Sequence, residues 1–167
     1  MHNKVFKLSD APFEDGDLGI SYDIEETWFV REICDWYDVK KNVSELELEY
    51  SDLARSMCHL ERDDHGPYIV FAREDLDLIN KGCAKQMAMF IRDLKKKTMD
   101  EDYFQLFLRN DLSINNDITM IRDIWFGEKF GDYIIYDDEI LPVDVFIRNA
   151  VPDKPYYLHK DVIDYHW

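Results

Sequence analysis

Apolar residues in several stretches of the chain recur every three or four positions, a spacing that places them on one face of a helix. The longest such segment is 75–97, and 23–38 and 115–126 show the same period. The lysines at 95–97 suit the negative end of the helix dipole. The pattern predicts helices over these three segments. A fourth helix is predicted over 100–109, where an acidic turn precedes an apolar run.

Other segments have the shorter period of a β-strand. Residues 4–8 alternate polar and apolar, and residues 68–73 form a short apolar run rich in strand-forming residues. Residues 61–67 are typical of a turn. The segment 43–60 is ambiguous, because 44–50 fits either a capped helix or a strand, whereas helical spacing is favoured over 51–60. We expect the tail, 150–167, to be irregular or a short helix.

Two further apolar segments flank a run of three acids. Residues 132–136 and 140–147 lie on either side of 137–139, which predicts a β-hairpin with an acidic turn. Pro142 cannot donate a backbone hydrogen bond, so it favours an edge position for the second strand. Together these elements predict an α+β fold. We expect a single compact domain over 1–167, with central helices and an antiparallel sheet built from N-terminal, middle and C-terminal strands.

The most informative feature of the composition is the net charge, which indicates the kind of partner that the protein binds. The chain has 167 residues and 46% hydrophobic content, enough for a buried core. Its 36 acids outnumber 20 bases and give a net charge of −16. Such a charge argues against direct nucleic-acid binding and against an anionic membrane surface, which both need Lys and Arg. It favours a basic protein partner, which a negative field attracts.

The cysteine spacing and the absence of nucleotide-binding and nucleophile motifs limit the reactions that the sequence predicts. Cys34, Cys58 and Cys83 are far apart and form no CxxC pair, which indicates reduced thiols and a cytoplasmic protein. No secretory leader or membrane span is expected. No nucleotide-binding glycine loop or nucleophile elbow occurs in the sequence. We therefore expect no cofactor, no metal and no catalytic residues.

Acids interleaved with aromatic residues are the strongest candidates for contact with a partner, because interfaces favour Tyr and Trp anchors within a polar rim. Such stretches occur at 132–144, 14–26 and 156–167. A separate alternating run of glutamates would form a negative stripe if 44–50 were a strand. The predicted partner-binding residues are Tyr133, Tyr136, Asp137, Asp138, Glu139, Glu45, Glu47 and Glu49.

The composition is similar in kind to that of bacterial toxin-immunity proteins and phage-encoded inhibitors, which are small, acidic and rich in aromatic residues. That resemblance implies a non-enzymatic protein that occludes the basic active site or groove of a partner, and it favours an immunity protein that neutralises a nuclease toxin. A DNA mimic that inhibits a restriction or CRISPR-type effector is one alternative. An adaptor subunit of a larger assembly is another.

A metal-dependent hydrolase is the remaining alternative. It would use the cluster at 59–65, which places two histidines and three acids within seven residues. The members of this cluster are His59, Glu61, Asp63, Asp64 and His65.

Overall fold

A computed structural model describes residues 2–14, 16–17, 19–25, 27–40, 43–55, 58–99, 112–129 and 131–167. The strands within these ranges are β1 His2–Ser9, β2 Trp36–Lys40, β3 His59–Asp63, β4 Gly66–Val70, β5 Tyr133–Tyr136, β6 Glu139–Pro142, β7 Tyr156–Leu158 and β8 Val162–His166. The helices are α1 Ile20–Ile24, α2 Trp28–Glu32, α3 Val43–Arg55, α4 Arg73–Thr98, α5 Leu112–Phe126 and α6 Val143–Asn149. The predicted α+β class is confirmed.

The strands form one sheet in the order β2-β8-β1-β7-β4-β3, and outside this order β5 pairs with β1 and β6 pairs with β5. β1 pairs in parallel with β5, whereas the other pairs are antiparallel. β6 pairs with β5 alone among the described strands, so Pro142 lies at an edge as predicted. Three strands therefore position β1 at the centre of the sheet.

Each face of the sheet carries a hydrophobic core, because neighbouring residues of a strand point to opposite faces. From β1, Phe6 packs on the face covered by α3, α6 and the start of α4. Val5 packs on the opposite face, where α1 and α2 contribute Ile24 and Phe29. The two helical layers enclose the sheet between them, and this arrangement places the β5–β6 hairpin beside α1 and α2.

The long predicted helix is present as α4, which packs against α5. Lys97 Nζ lies 2.6 Å from Asp117 Oδ2 and links the two helices. Gly127, with φ of +82°, ends α5 in the left-handed conformation that glycine adopts readily. The predicted helix over 100–109 lies outside the described residues.

The prediction of one helix over 23–38 was wrong. The segment forms the end of α1, all of α2 and the start of β2. The Thr27 hydroxyl donates a hydrogen bond to the Ile24 carbonyl at 2.7 Å and the chain is extended at Thr27, so α1 and α2 are separate. Residues from Trp36 onward pair with β8 instead of continuing α2. Pairing with β8 thus makes residues 36–40 a strand, although the apolar residues of 23–38 recur at helical spacing. The short helices α1 and α2 account for the first part of that spacing.

Three further boundaries differ from prediction. Residues 43–55 are helical and 59–63 form β3, so the predicted turn at 61–67 shrinks to two residues between β3 and β4. The second hairpin strand stops at Pro142, where α6 begins. The tail contains β7 and β8 instead of a helix or irregular chain. Residues 162–165 are buried on both faces, which hides the alternation that marks a half-exposed strand.

Candidate functional site

The turn of the β5–β6 hairpin projects three acids into solvent. Asp137 and Asp138 have φ of 52° and 62°, so this two-residue turn is left-handed at both positions, as in a type I′ hairpin. Aspartate tolerates this conformation better than most residues. Asp137, Asp138 and Glu139 are exposed, and no described cation forms an ion pair with them. Their negative charges are therefore available to a partner.

The two tyrosines of β5 have different surroundings. Tyr133 is 2% exposed and packs edge-on against Phe29, with ring centroids 5.0 Å apart. Its hydroxyl donates to the Lys129 carbonyl at 2.7 Å, and burial raises its pKa to about 12. Tyr133 therefore belongs to the core and presents no anchor at the surface, contrary to its predicted role.

Tyr136 is half-buried and joins the hairpin to two other parts of the chain. Its hydroxyl donates to Asp10 Oδ1 at 2.6 Å, and Lys154 Nζ donates to the Tyr136 oxygen at 3.1 Å. Lys154 Nζ also lies 2.6 Å from Asp10 Oδ2 and 5.7 Å from the Tyr136 ring centroid. The hydrogen bond from Lys154 lowers the pKa of Asp10, whereas the bond to Asp10 raises the pKa of Tyr136. This network positions the base of the acidic turn.

Two shallow, open surface cavities that share lining residues lie where the hairpin meets α1 and α2. One, of about 330 Å³, is lined by the hairpin and by residues at the end of α1 and the start of α2. The other, of about 470 Å³, lies between the hairpin, β1 and the loop after β1. Asp23 and Asp138 line both cavities. We name the combined feature the acidic groove and define it by Asp17, Asp23, Trp28, Asp138 and Glu139.

The groove is negative and has an aromatic wall. Asp23 Oδ2 is paired with Lys7 Nζ at 2.9 Å, so one of its four acids is matched by a cation that also lines the groove. Asp17 accepts the Glu14 backbone N–H at 2.7 Å. Trp28 is 44% exposed and lines the first cavity beside Asp138 and Glu139. Carboxylates next to a tryptophan ring suit an arginine or lysine side chain, which gains from both.

The predicted glutamate stripe is not formed. Residues 45, 47 and 49 lie in α3, where alternate positions point in different directions instead of sharing one face. Glu47 Oε1 lies 3.4 Å from Arg62 Nη2, and Glu49 Oε1 lies 2.8 Å from Lys4 Nζ. The side chain of Glu45 lies outside the described part of the chain. Two of these glutamates thus bind cations of the protein itself.

The cluster at 59–65 is also dispersed. Its residues lie mostly in β3, where Glu61 accepts the Tyr68 hydroxyl at 2.8 Å and Asp63 accepts the Tyr157 hydroxyl at 2.9 Å. His59 lies 3.5 Å from Asp75. Across the ranges described above, no three His, Cys, Asp or Glu side chains are placed to hold one ion together. The fold does not assemble the metal site that the hydrolase alternative requires.

Cys34 and Cys58 lack the lowered pKa of an activated nucleophile. Cys34, Cys58 and Cys83 are free thiols. Burial raises the pKa of Cys58 to about 12 and also raises that of Cys34. A reactive cysteine needs a lowered pKa, because the thiolate is the nucleophile.

The structure brings together two of the three acidic and aromatic stretches singled out in the sequence. Asp17 and Asp23 belong to 14–26, and Asp138 and Glu139 to 132–144. Sequence reasoning missed Trp28, because the period over 23–38 assigned it to the buried face of a helix. The high acid content of 14–26, the segment just before Trp28, was the signal that could have pointed to this side of the groove.

Comparison of the chain with family models, curated proteins and solved structures finds no match in any of the three. Among the described residues, no helix is both long enough and apolar enough to cross a membrane. The groove must therefore be interpreted from its own geometry and charge.

Proposed function

We propose that this chain is a non-enzymatic binding protein whose acidic groove docks a basic protein partner and occludes that partner's active site or substrate groove. Within this class, the proposal that best accounts for the composition is an immunity protein that neutralises a nuclease toxin. The observation that supports it is the convergence of Asp23 and Asp138, about a hundred residues apart in sequence, at one groove with an exposed tryptophan.

The groove and the turn have separate roles in this proposal. Asp137, the exposed acid of the turn that does not line the groove, lies at the rim and steers a cationic partner towards the protein, which mainly accelerates association. Inside the groove, a basic side chain is desolvated against Trp28 and Asp138. Truncating a desolvated pair of this kind costs about 2–5 kcal/mol, mostly through faster dissociation.

The decisive experiment compares two variants of equal charge. Asp138→Asn/Glu139→Gln removes two groove acids, whereas Asp64→Asn/Glu74→Gln removes two exposed acids elsewhere on the described surface. Each protein captures partners from the source cells at 0.1 M and 1 M salt. The captured protein is then purified and its nuclease activity is titrated with each variant.

We expect capture of a basic protein whose nuclease activity the wild-type chain and the control variant inhibit. The groove variant should bind roughly 30-fold more weakly or worse, mainly through faster dissociation, because it loses a desolvated charge pair. Capture should also weaken at 1 M salt, where the Debye length falls from about 10 Å to about 3 Å. Equal inhibition by the groove and control variants would refute the site. A captured partner without inhibited nuclease activity would refute the immunity function.

A further inference from the structure

Two histidines face one another across the β1–β8 ladder, away from the acidic groove residues. His2 and His166 are register partners, and their ring centroids lie 5.5 Å apart. Their side chains are 59% and 43% exposed, so both rings are accessible to solvent. Trp36 of β2 is the register partner of His166 on the next strand, and its ring centroid lies 6.4 Å from that of His2.

Each ring is oriented by its own carboxylate. His2 Nδ1 lies 3.2 Å from Asp164 Oδ1, and His166 Nδ1 lies 3.1 Å from Asp35 Oδ1. An ionised carboxylate only accepts hydrogen bonds, so Nδ1 carries the proton in both rings. In the neutral imidazole, Nε2 then holds the free lone pair. Metal-binding histidines have this same arrangement, in which a carboxylate fixes the tautomer and increases the basicity of the ligand nitrogen.

The separation of the ring centroids leaves room for a shared ion. Two imidazoles bound through Nε2 to one tetrahedral ion, at N–metal distances of about 2.0–2.1 Å, place their centroids about 5 Å apart. The observed separation of 5.5 Å is close to this value. Asp164 is held in place by Lys4 at 3.3 Å and Lys40 at 3.7 Å, so its bond to His2 forms within an ordered network.

We propose that His2 and His166 form a two-histidine site for a divalent transition-metal ion, with the two Nε2 atoms as ligands and water in the remaining positions. Imidazole ligands suit Zn²⁺, Cu²⁺ and Ni²⁺, and Cu²⁺ is bound most tightly of the three. Two protein ligands leave the ion accessible, which suits reversible binding better than a closed structural site.

The test uses the full chain with Cu²⁺ and Zn²⁺. Electron paramagnetic resonance of the Cu²⁺ complex reports how many imidazole nitrogens bind the ion, and calorimetry with Zn²⁺ gives stoichiometry and affinity. We expect one ion per chain and a two-nitrogen pattern. His2→Gln and His166→Gln should each abolish that pattern. Asp35→Asn keeps both ligands and should weaken Zn²⁺ binding by about tenfold.

His59→Gln is the matched control, because His59 is also exposed and also lies beside one carboxylate, Asp75, at 3.5 Å. It should leave both measurements unchanged. Absence of saturable binding would overturn the proposal, and so would a one-nitrogen spectrum or binding that survives His166→Gln. Circular dichroism verifies that each variant is folded. The result is independent of the acidic groove, whose residues none of these substitutions changes.

Discussion

His159 lies almost entirely inside the protein, with 1% of its surface exposed. Its Nδ1 accepts the backbone N–H of Asp161 at 3.1 Å, so Nε2 carries the proton of the neutral ring. That Nε2 atom is buried and has no hydrogen-bond partner among the described residues. The Phe13 ring packs edge-on against the imidazole at 4.9 Å. We expect this residue to make the folded protein sensitive to acid.

The direction of the pH dependence follows from the pKa of the His159 ring. Burial is the largest influence and lowers the pKa of His159 below its ordinary value of 6.5. Asp161 and Asp23 act in the opposite direction, whereas Lys7 and Lys160 add to the decrease. In the unfolded chain the ring takes up a proton below about pH 6.5, while in the folded protein it resists protonation. The stability contributed by the neutral ring is therefore present above pH 6.5 and lost as the pH falls.

The perturbation is His159→Gln, which removes the titrating group but keeps an oxygen that can accept the Asp161 N–H. One proton taken up only by the unfolded chain changes the free energy of unfolding by about 1.4 kcal/mol per pH unit. Between pH 7.5 and 5.5 the wild type should lose more stability than the variant, by at most about 1.4 kcal/mol, which is the limit for a ring that stays neutral in the folded protein. The stability advantage of the wild type over the variant should shrink by that amount.

Urea unfolding followed by tryptophan fluorescence at pH 7.5, 6.5 and 5.5 measures both proteins. Taking the difference between wild type and variant cancels the contribution of the other titrating groups. His65→Gln is the control, since it removes an exposed imidazole and leaves the buried one in place. Parallel stability curves for wild type and His159→Gln would show that Asp161 and Asp23 keep the buried ring protonatable, and would refute the reasoning.

Two further predictions concern stability. Phe29→Ala removes a fully buried ring that packs against Tyr133 and Tyr165, and should lower the free energy of unfolding by about 3–5 kcal/mol in urea titrations; a loss below about 1 kcal/mol would contradict the assigned core. Asp137→Asn/Asp138→Gly introduces the preferred residue pair for a type I′ turn and should raise the free energy of unfolding by about 0.5–1 kcal/mol. A decrease in thermal stability would contradict the left-handed geometry at both positions.

Local sequence pattern determined the elements whose residues mainly contact their own neighbours. The helix α4 could be predicted because its apolar period extends over many turns and its charges match the helix dipole. The β5–β6 hairpin could be predicted because an acidic turn separates two strand-forming runs and Pro142 requires an edge. The exposure of Asp137, Asp138 and Glu139 follows from the same local signals.

Tertiary structure decided the rest, because pairing with distant strands changes what a local pattern forms. The residues of β8 are buried on both faces and so lose their alternation, and β2 is a strand because β8 lies beside it. The same folding placed Tyr133 in the core and Trp28 at the surface. It also joined Asp23 to Asp138, and His2 to His166, pairs whose members are too far apart in sequence for any periodicity to relate them.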